Sequence, residues 1–229
     1  EVPQGSIVAL IGPNGAGKTT MFNCIAGFLP LNGGGVQFLG RDITGWPVHR
    51  IARAGMVRTF QITQPFARLT VHENIAVGAY QRFADRHQAW DHAADVARQV
   101  GMQGMLEQPA SDLTVAGRKR LELARALALK PQLFLLDEPL AGLNSKEAES
   151  FANTILDIHR SGMTIVLIEH NLGEVMRLCQ RMVVLDNGRK IGDGEPRAVM
   201  RDPLVQAAYL GGDALASGQA QQEASAHHA

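Results

Sequence analysis

The chain has 229 residues, 45% of them apolar, and Lys plus Arg and Asp plus Glu number 22 each, for a formal net charge of zero. That apolar content suits one large globular unit or two small ones, and the even balance offers no basic stripe, so neither nucleic acid nor anionic lipid is expected as a partner. No apolar run approaches the ~18 residues of a membrane-spanning helix, and no signal-peptide pattern opens the chain.

Residues 7–11 (IVALI) form a continuous apolar run ending at Gly12, the pattern of a strand buried on both faces of a parallel sheet. From Lys18 the segment KTTMFNCIAGFL carries Met21, Phe22, Ile25 and Phe28 at helical spacing, so strand, turn and helix are expected in that order. Residues 36–39 and 41–43 read as a small antiparallel piece about Gly40, and 48–54 as a short helix. From 71 to about 129 the pattern is helical and contains no convincing strand. Residues 133–136 (LFLL) and 164–168 (TIVLI) are buried-strand candidates on either side of a helical run over 145–160, an alternation that predicts a parallel sheet. Residues 182–186 and 189–191 flank Asn187-Gly188, whose positive φ angles suit a hairpin turn. Beyond Gly212 the residues are small and polar, and a mobile tail over 212–229 is expected. Cys24 and Cys179 lie far apart without metal-ligand spacing and read as reduced core thiols in a cytosolic protein.

The stretch GPNGAGKTT, residues 12–20, matches G-x-x-x-x-G-K-T. Its glycines let backbone N–H groups turn toward phosphate oxygens, the following helix presents its positive end, Lys18 bridges phosphates, and the Thr19 hydroxyl suits Mg²⁺. The four fixed letters arise by chance in about one chain in a hundred. The strand-turn-helix context argues against an ordinary glycine turn, so a nucleoside triphosphate is expected here. Asp137-Glu138 follows LFLL directly, at the carboxyl end of a buried strand where open parallel sheets place their ligands. There an aspartate can hold Mg²⁺ through water and a glutamate can polarise an attacking water. His170 ends another strand candidate on the same edge, whereas His227 and His228 sit in the tail. No Asn-Lys-x-Asp element for guanine is present, which disfavours a GTPase, and a small-molecule kinase is neither shown nor excluded.

Gln61 in TFQITQPF, the block LTVAGRKRLELARAL, LLDEPLAGLN and His170 follow the phosphate loop in the order and at about the spacing of ATP-binding cassette (ABC) proteins. As far as Leu210 the chain resembles the ATPase subunit of a transporter. The wording of GRDITGWPVHRIARAGMVRTFQ, LTVHENIAVGAY and AAYLGG is similar to the ATPases of branched-chain amino acid importers. Relatives carry urea, amides or aromatic acids, and a lipopolysaccharide-export ATPase is also similar, so the cargo stays open. A cytosolic ABC ATPase acting on ribosomes or DNA is the further alternative. Such proteins commonly carry two cassettes, long arms, zinc modules or basic patches, none of which is seen in this sequence.

The resemblance implies an α/β P-loop NTPase with a RecA-like core, a mainly parallel sheet, a small antiparallel piece and an inserted helical subdomain. The nucleotide-binding domain would be 1–211, with its core over about 1–64 and 129–211 and the helical subdomain over about 65–128. ATP and Mg²⁺ are the implied ligands. Gly12, Pro13, Asn14, Gly15, Ala16, Gly17, Lys18, Thr19 and Thr20 would cradle the phosphates. Thr19 and Gln61 would ligate Mg²⁺, with Asp137 holding it through water. Lys18, Glu138 and His170 would be catalytic, Glu138 as general base and His170 on the γ-phosphate. Gln64 is the rival to Gln61, which the preceding Thr-Phe favours.

Partners implied are integral membrane permease subunits, a second ATPase subunit and, indirectly, a solute-binding protein, at the cytoplasmic face of the inner membrane. Two departures from the family pattern stand out. The signature positions, usually Leu-Ser-Gly-Gly-Gln, here read Leu113, Thr114, Val115, Ala116 and Gly117. An alanine at 116 costs about 1 kcal/mol if positive φ is needed there. We therefore expect pairing with a different ATPase subunit, a homodimer being the alternative, so that the altered signature faces the partner's ATP. The second departure is the missing upstream aromatic residue that family members stack on adenine, from which an incomplete amino end is expected.

Overall fold

A computed structural model describes residues 1–59 and 65–209. The first half contains β1 (Ile7–Ile11), α1 (Lys18–Ile25), β2 (Gln37–Phe38), β3 (Arg41–Asp42), α2 (Val48–Ala54), β4 (Met56–Arg58), α3 (Val71–Ala79) and α4 (Arg86–Gln99). The second contains α5 (Val115–Leu127), β5 (Leu133–Asp137), α6 (Ser145–Arg160), β6 (Thr164–Ile168), α7 (Leu172–Leu178), β7 (Arg181–Asp186), β8 (Arg189–Gly194) and α8 (Pro196–Val199).

Six strands form one sheet in the order β4-β5-β6-β1-β7-β8, parallel except for the antiparallel β7–β8 hairpin. The expected small antiparallel piece is the pair β2–β3. The central strands β1, β5 and β6 are buried at every position. Their period of two divides those residues between two cores. Ile7, Ala9, Ile11, Phe134, Leu136, Ile165 and Leu167 join helices α3 to α7 on one face. Val8, Leu10, Leu133, Leu135, Val166 and Ile168 pack on the other with Phe22 of α1, Ile51 of α2 and Phe38 of the small sheet. This covered parallel sheet is the P-loop NTPase architecture the sequence led us to expect.

Helices α3, α4 and α5 occupy the stretch read as strand-free, and each begins at a capping side chain. Thr70 forms a capping box with Glu73, Asp85 accepts from Gln88 N–H, and Thr114 accepts from Gly117 N–H. Helices α3 and α5 approach so closely that a Cβ on Gly78 would stand 2.3 Å from the Arg125 carbonyl oxygen. Gly78→Ala is therefore expected to cost about 1–3 kcal/mol through overpacking. The check is a lowered urea midpoint at unchanged slope, with Gly104→Ala, where nothing lies within 4 Å, as the neutral control.

Several expectations need correcting. Met21 and Phe28 lie at helical spacing but are 43% and 40% exposed, and α1 ends at Ile25, before Phe28. Cys179 is buried, whereas Cys24 is only partly so. The short strand β4 and helices α7 and α8 had no clear pattern, because segments of three to seven residues offer few periods to read. The expected tail over 212–229 lies outside the described residues. Among the described residues no helix is long and apolar enough to cross a membrane.

Candidate active site

The chain leaves β1 at Ile11 and turns through Gly12, Gly15 and Gly17 with φ of 147°, 80° and 94°. At Gly12 close approach reinforces the need for glycine, since a Cβ there would lie 2.0 Å from the Leu185 carbonyl oxygen of β7. The hairpin also braces the loop from its turn, where Gly188 N–H donates to Ala16 O at 3.0 Å. Gly17 caps α1 in the left-handed region with no side-chain cap, so no side chain competes for the first-turn N–H groups at the helix's positive end. Ala16 is buried and Pro13 half-buried, while Asn14, Gly15, Thr19 and Thr20 are exposed to whatever enters.

Lys18 is buried, and its ammonium donates to the carbonyls of Gly12 at 2.8 Å and Pro13 at 2.9 Å. Burial pulls its pKa below the ordinary lysine range, while the nearby charges of Glu138 and Asp137 oppose that shift. The register explains the meeting, because Ile168 stands beside both Leu10 and Asp137. The carboxyl ends of β1, β5 and β6 thus deliver the phosphate loop, Asp137-Glu138 and Glu169-His170 to one edge.

Asp137 is the last residue of β5 and is 3% exposed. It is ion-paired at 2.7 Å with Arg58 at the end of β4, and Arg58 also donates to the Asn23 side chain of α1. Glu138 follows at a φ of 48°, its N–H bound to Ile168 O at 3.0 Å. Its carboxylate accepts from His170 Nε2 at 2.7 Å. Glu169 is buried, and its carboxylate receives the N–H groups of Leu140 at 2.9 Å and His170 at 3.3 Å. Burial pushes Glu169 above the usual carboxylate range, an effect the backbone hydrogen bonds counter. An open cavity of about 340 Å³ adjoins this cluster, with Glu138, His170 and Asn171 in its wall.

Leu113 to Gly117 form a separate group at the start of α5. Leu113 is buried, Thr114 exposed, and Val115 55% exposed. The backbone cost tied to a positive φ at 116 does not arise, because Ala116 lies in the first turn of α5 and is not among the residues with positive φ. Gly117 instead answers to packing, since a Cβ there would meet two Leu113 carbons at 3.2 Å. Thr114 Oγ1 accepts the Gly117 N–H at 3.2 Å, which leaves its own proton available to an incoming acceptor. Gln61 and its rival Gln64 lie outside the described residues.

Sequence reasoning missed Arg58, Asn23 and Glu169. The available signal was the charge of Arg58 at the end of MVR and of Glu169 after TIVLI, both at ends of apolar runs.

The donor set fits the ligands suggested by the sequence. A glycine cradle, an uncapped helix start and a buried ammonium suit phosphate. The Thr19 hydroxyl and Asp137 carboxylate are hard oxygen ligands suited to Mg²⁺, which takes one or two carboxylates besides the substrate's phosphates.

A family model described as ABC transporter matches residues 1–141, and one described as branched-chain amino acid ATP-binding cassette transporter matches 189–214. The high-affinity branched-chain amino acid transport ATP-binding protein LivG of Salmonella typhimurium is 37% identical over 227 residues, spanning 92% of this chain and 89% of its own. BraF of Pseudomonas aeruginosa, described in the same terms, is 35% identical over 227 residues, with the same coverage. Among solved structures, the ADP conformation of MJ1267, an ATP-binding cassette of an ABC transporter, superposes with a TM-score of 0.82 at 31% identity, covering 92% of this chain and 89% of that one. The chain belongs to the ABC transporter family, as one of its ATP-binding and ATP-hydrolysing cassettes.

Proposed function

We propose that this cassette powers import of branched-chain amino acids or related small polar solutes through permease subunits, lying peripherally on the cytoplasmic face of the inner membrane. Support for that cargo comes from the family match at 189–214 and from the described functions of LivG and BraF. In this reading residues 1–211 are the nucleotide-binding domain, with a core over about 1–64 and 129–211 and a helical subdomain over about 65–128.

The observation that carries the mechanism is the convergence of Lys18, Asp137, Glu138 and His170 on one sheet edge. Lys18 exchanges its carbonyl partners in the loop for phosphate oxygens, and the loop N–H groups hold the rest of the phosphate chain. Glu138 accepts a proton from the attacking water, and His170 orients the Glu138 carboxylate and reaches the γ-phosphate. Thr19, Gln61 and Asp137 would hold Mg²⁺, whose charge offsets that of the phosphate oxygens when bound. Leu113 to Gly117 would contact the ATP of a second ATPase subunit, with Thr114 donating. Solute-stimulated ATP hydrolysis in reconstituted vesicles tests the cargo. Stimulation by leucine, isoleucine or valine is expected, whereas stimulation by lipopolysaccharide alone would replace this reading with export.

Phe66 is 47% exposed, with the Arg125 guanidinium 4.7 Å from its ring centre, while Val71 is fully buried. Phe66, Leu69 and Val71, which follow Gln61 in the sequence, are the apolar residues offered as a groove for a cytoplasmic helix of the permease; Val71 serves the core, Leu69 is half-buried, and Phe66 is the best placed to meet that helix. Buried Asn74 shapes the docking segment, accepting the Phe66 N–H at 2.9 Å and donating to the carbonyls of Phe66, Leu69 and Thr70. Phe66→Asp is expected to reduce solute-coupled transport about tenfold or more, as loss of a buried aromatic anchor does, with nucleotide binding retained. Unimpaired transport and assembly would remove Phe66 from the interface.

A further inference from the structure

Glu138 is one of four non-glycine residues with positive φ among those described. That conformation is strained for an L residue and persists where its surroundings over-determine it. Two of its restraints are local to the sheet edge: its N–H on Ile168 O at 3.0 Å, and Ala141 N–H on its carbonyl at 3.2 Å. A third comes from another part of the molecule. The ammonium of Lys119, on α5, donates to the same Glu138 carbonyl at 3.2 Å.

Burial pulls Lys119 below the ordinary lysine range, with Glu122, Glu169 and Glu138 opposing. It borders a small cavity where α5 meets Thr59 and Asp137, beside the metal-side carboxylate as well as the base. The next residue, Arg120, fastens α5 to its neighbours, donating to Val100 O at 2.9 Å and to the Thr154 and Ser150 hydroxyls at 3.1 and 2.7 Å. Thr114 caps helix α5 five residues before Lys119, about 7–8 Å away along the helix axis.

We propose that Lys119 is a positioning residue for Glu138, which this role presupposes as the base, and that it links the base to the seating of the signature helix. Phosphate engaged at Thr114 holds α5 in place. Lys119 then holds the Glu138 carbonyl, and with it the direction of the carboxylate. The ATP that a chain contacts through its signature thereby governs hydrolysis of the ATP in its own loop.

Lys119→Met, Lys119→Arg and Glu138→Gln in the full chain separate the possibilities. Lys119→Met is expected to lower kcat about tenfold with KM within about twofold, the pattern of an interaction used only in the transition state. Binding of a fluorescent ATP analogue with Mg²⁺ stays unchanged, the Hill coefficient for ATP falls toward one, and Lys119→Arg recovers most of kcat. Unchanged kcat in Lys119→Met, equal losses in Met and Arg, or a loss matched by weaker nucleotide binding would each overturn the role. If instead Glu138→Gln keeps full turnover, the assignment of the base fails first, and the two failures are told apart.

Discussion

Glu138→Gln is expected to lower ATP turnover by about 10²- to 10⁴-fold, the range that a positioned general base contributes, while Mg²⁺-nucleotide binding survives. The amide keeps an oxygen to accept from His170 Nε2, and the backbone bond of residue 138 to Ile168 does not depend on the side chain. What disappears is the group able to take a proton from water. Phosphate release alongside binding of a fluorescent ATP analogue checks both halves, and undiminished turnover would remove Glu138 from the chemistry. If two different ATPase subunits pair, placing the substitution in one or the other gives unequal losses. Equal losses would count against that asymmetry.

Arg58→Met is expected to cost about 3–5 kcal/mol of folding stability, because it leaves the Asp137 carboxylate without its direct ion-pair partner at a nearly sealed position. Arg58 and Asp137 expose 6% and 3% of their side chains, and their contact at 2.7 Å is joined to Asn23 on α1. For a chain of this length that corresponds to a fall of roughly 6–20 °C in Tm. Combining Arg58→Met with Asp137→Leu removes the stranded charge and is expected to regain much of the loss, since apolar replacement of a whole buried pair is often neutral. Thermal melts of the two variants decide this. A single mutant as stable as the parent would show that the pair contributes little.

The central strands and the long helices were legible because burial on both faces writes continuous apolar runs, and one-sided burial writes a 3.6-residue period. The bounds of β1, α2, α6 and β6 coincide with the expected segments. Glycine, lysine and hydroxyl spacing marked the phosphate loop because its shape depends on local backbone. By contrast, Arg58, Lys119 and Glu169 act through partners 79, 19 and 29 residues away, which no local pattern encodes. Ala116 illustrates the converse. A cost was expected there only if the position needed positive φ, and the right-handed helical first turn does not need it.

The strand feeding the glycine loop lies between neighbours from the far end of the chain, Ile7 beside Ile165 and Ala9 beside Met182. The loop itself leans on Leu185 and Gly188. On a ribosome, then, the glycine loop emerges well before the strands that flank it, and it acquires its working shape late. A nascent chain carries the complete lettering of the loop long before it has anything to brace it, and a fragment ending before the last hairpin should be blind to nucleotide.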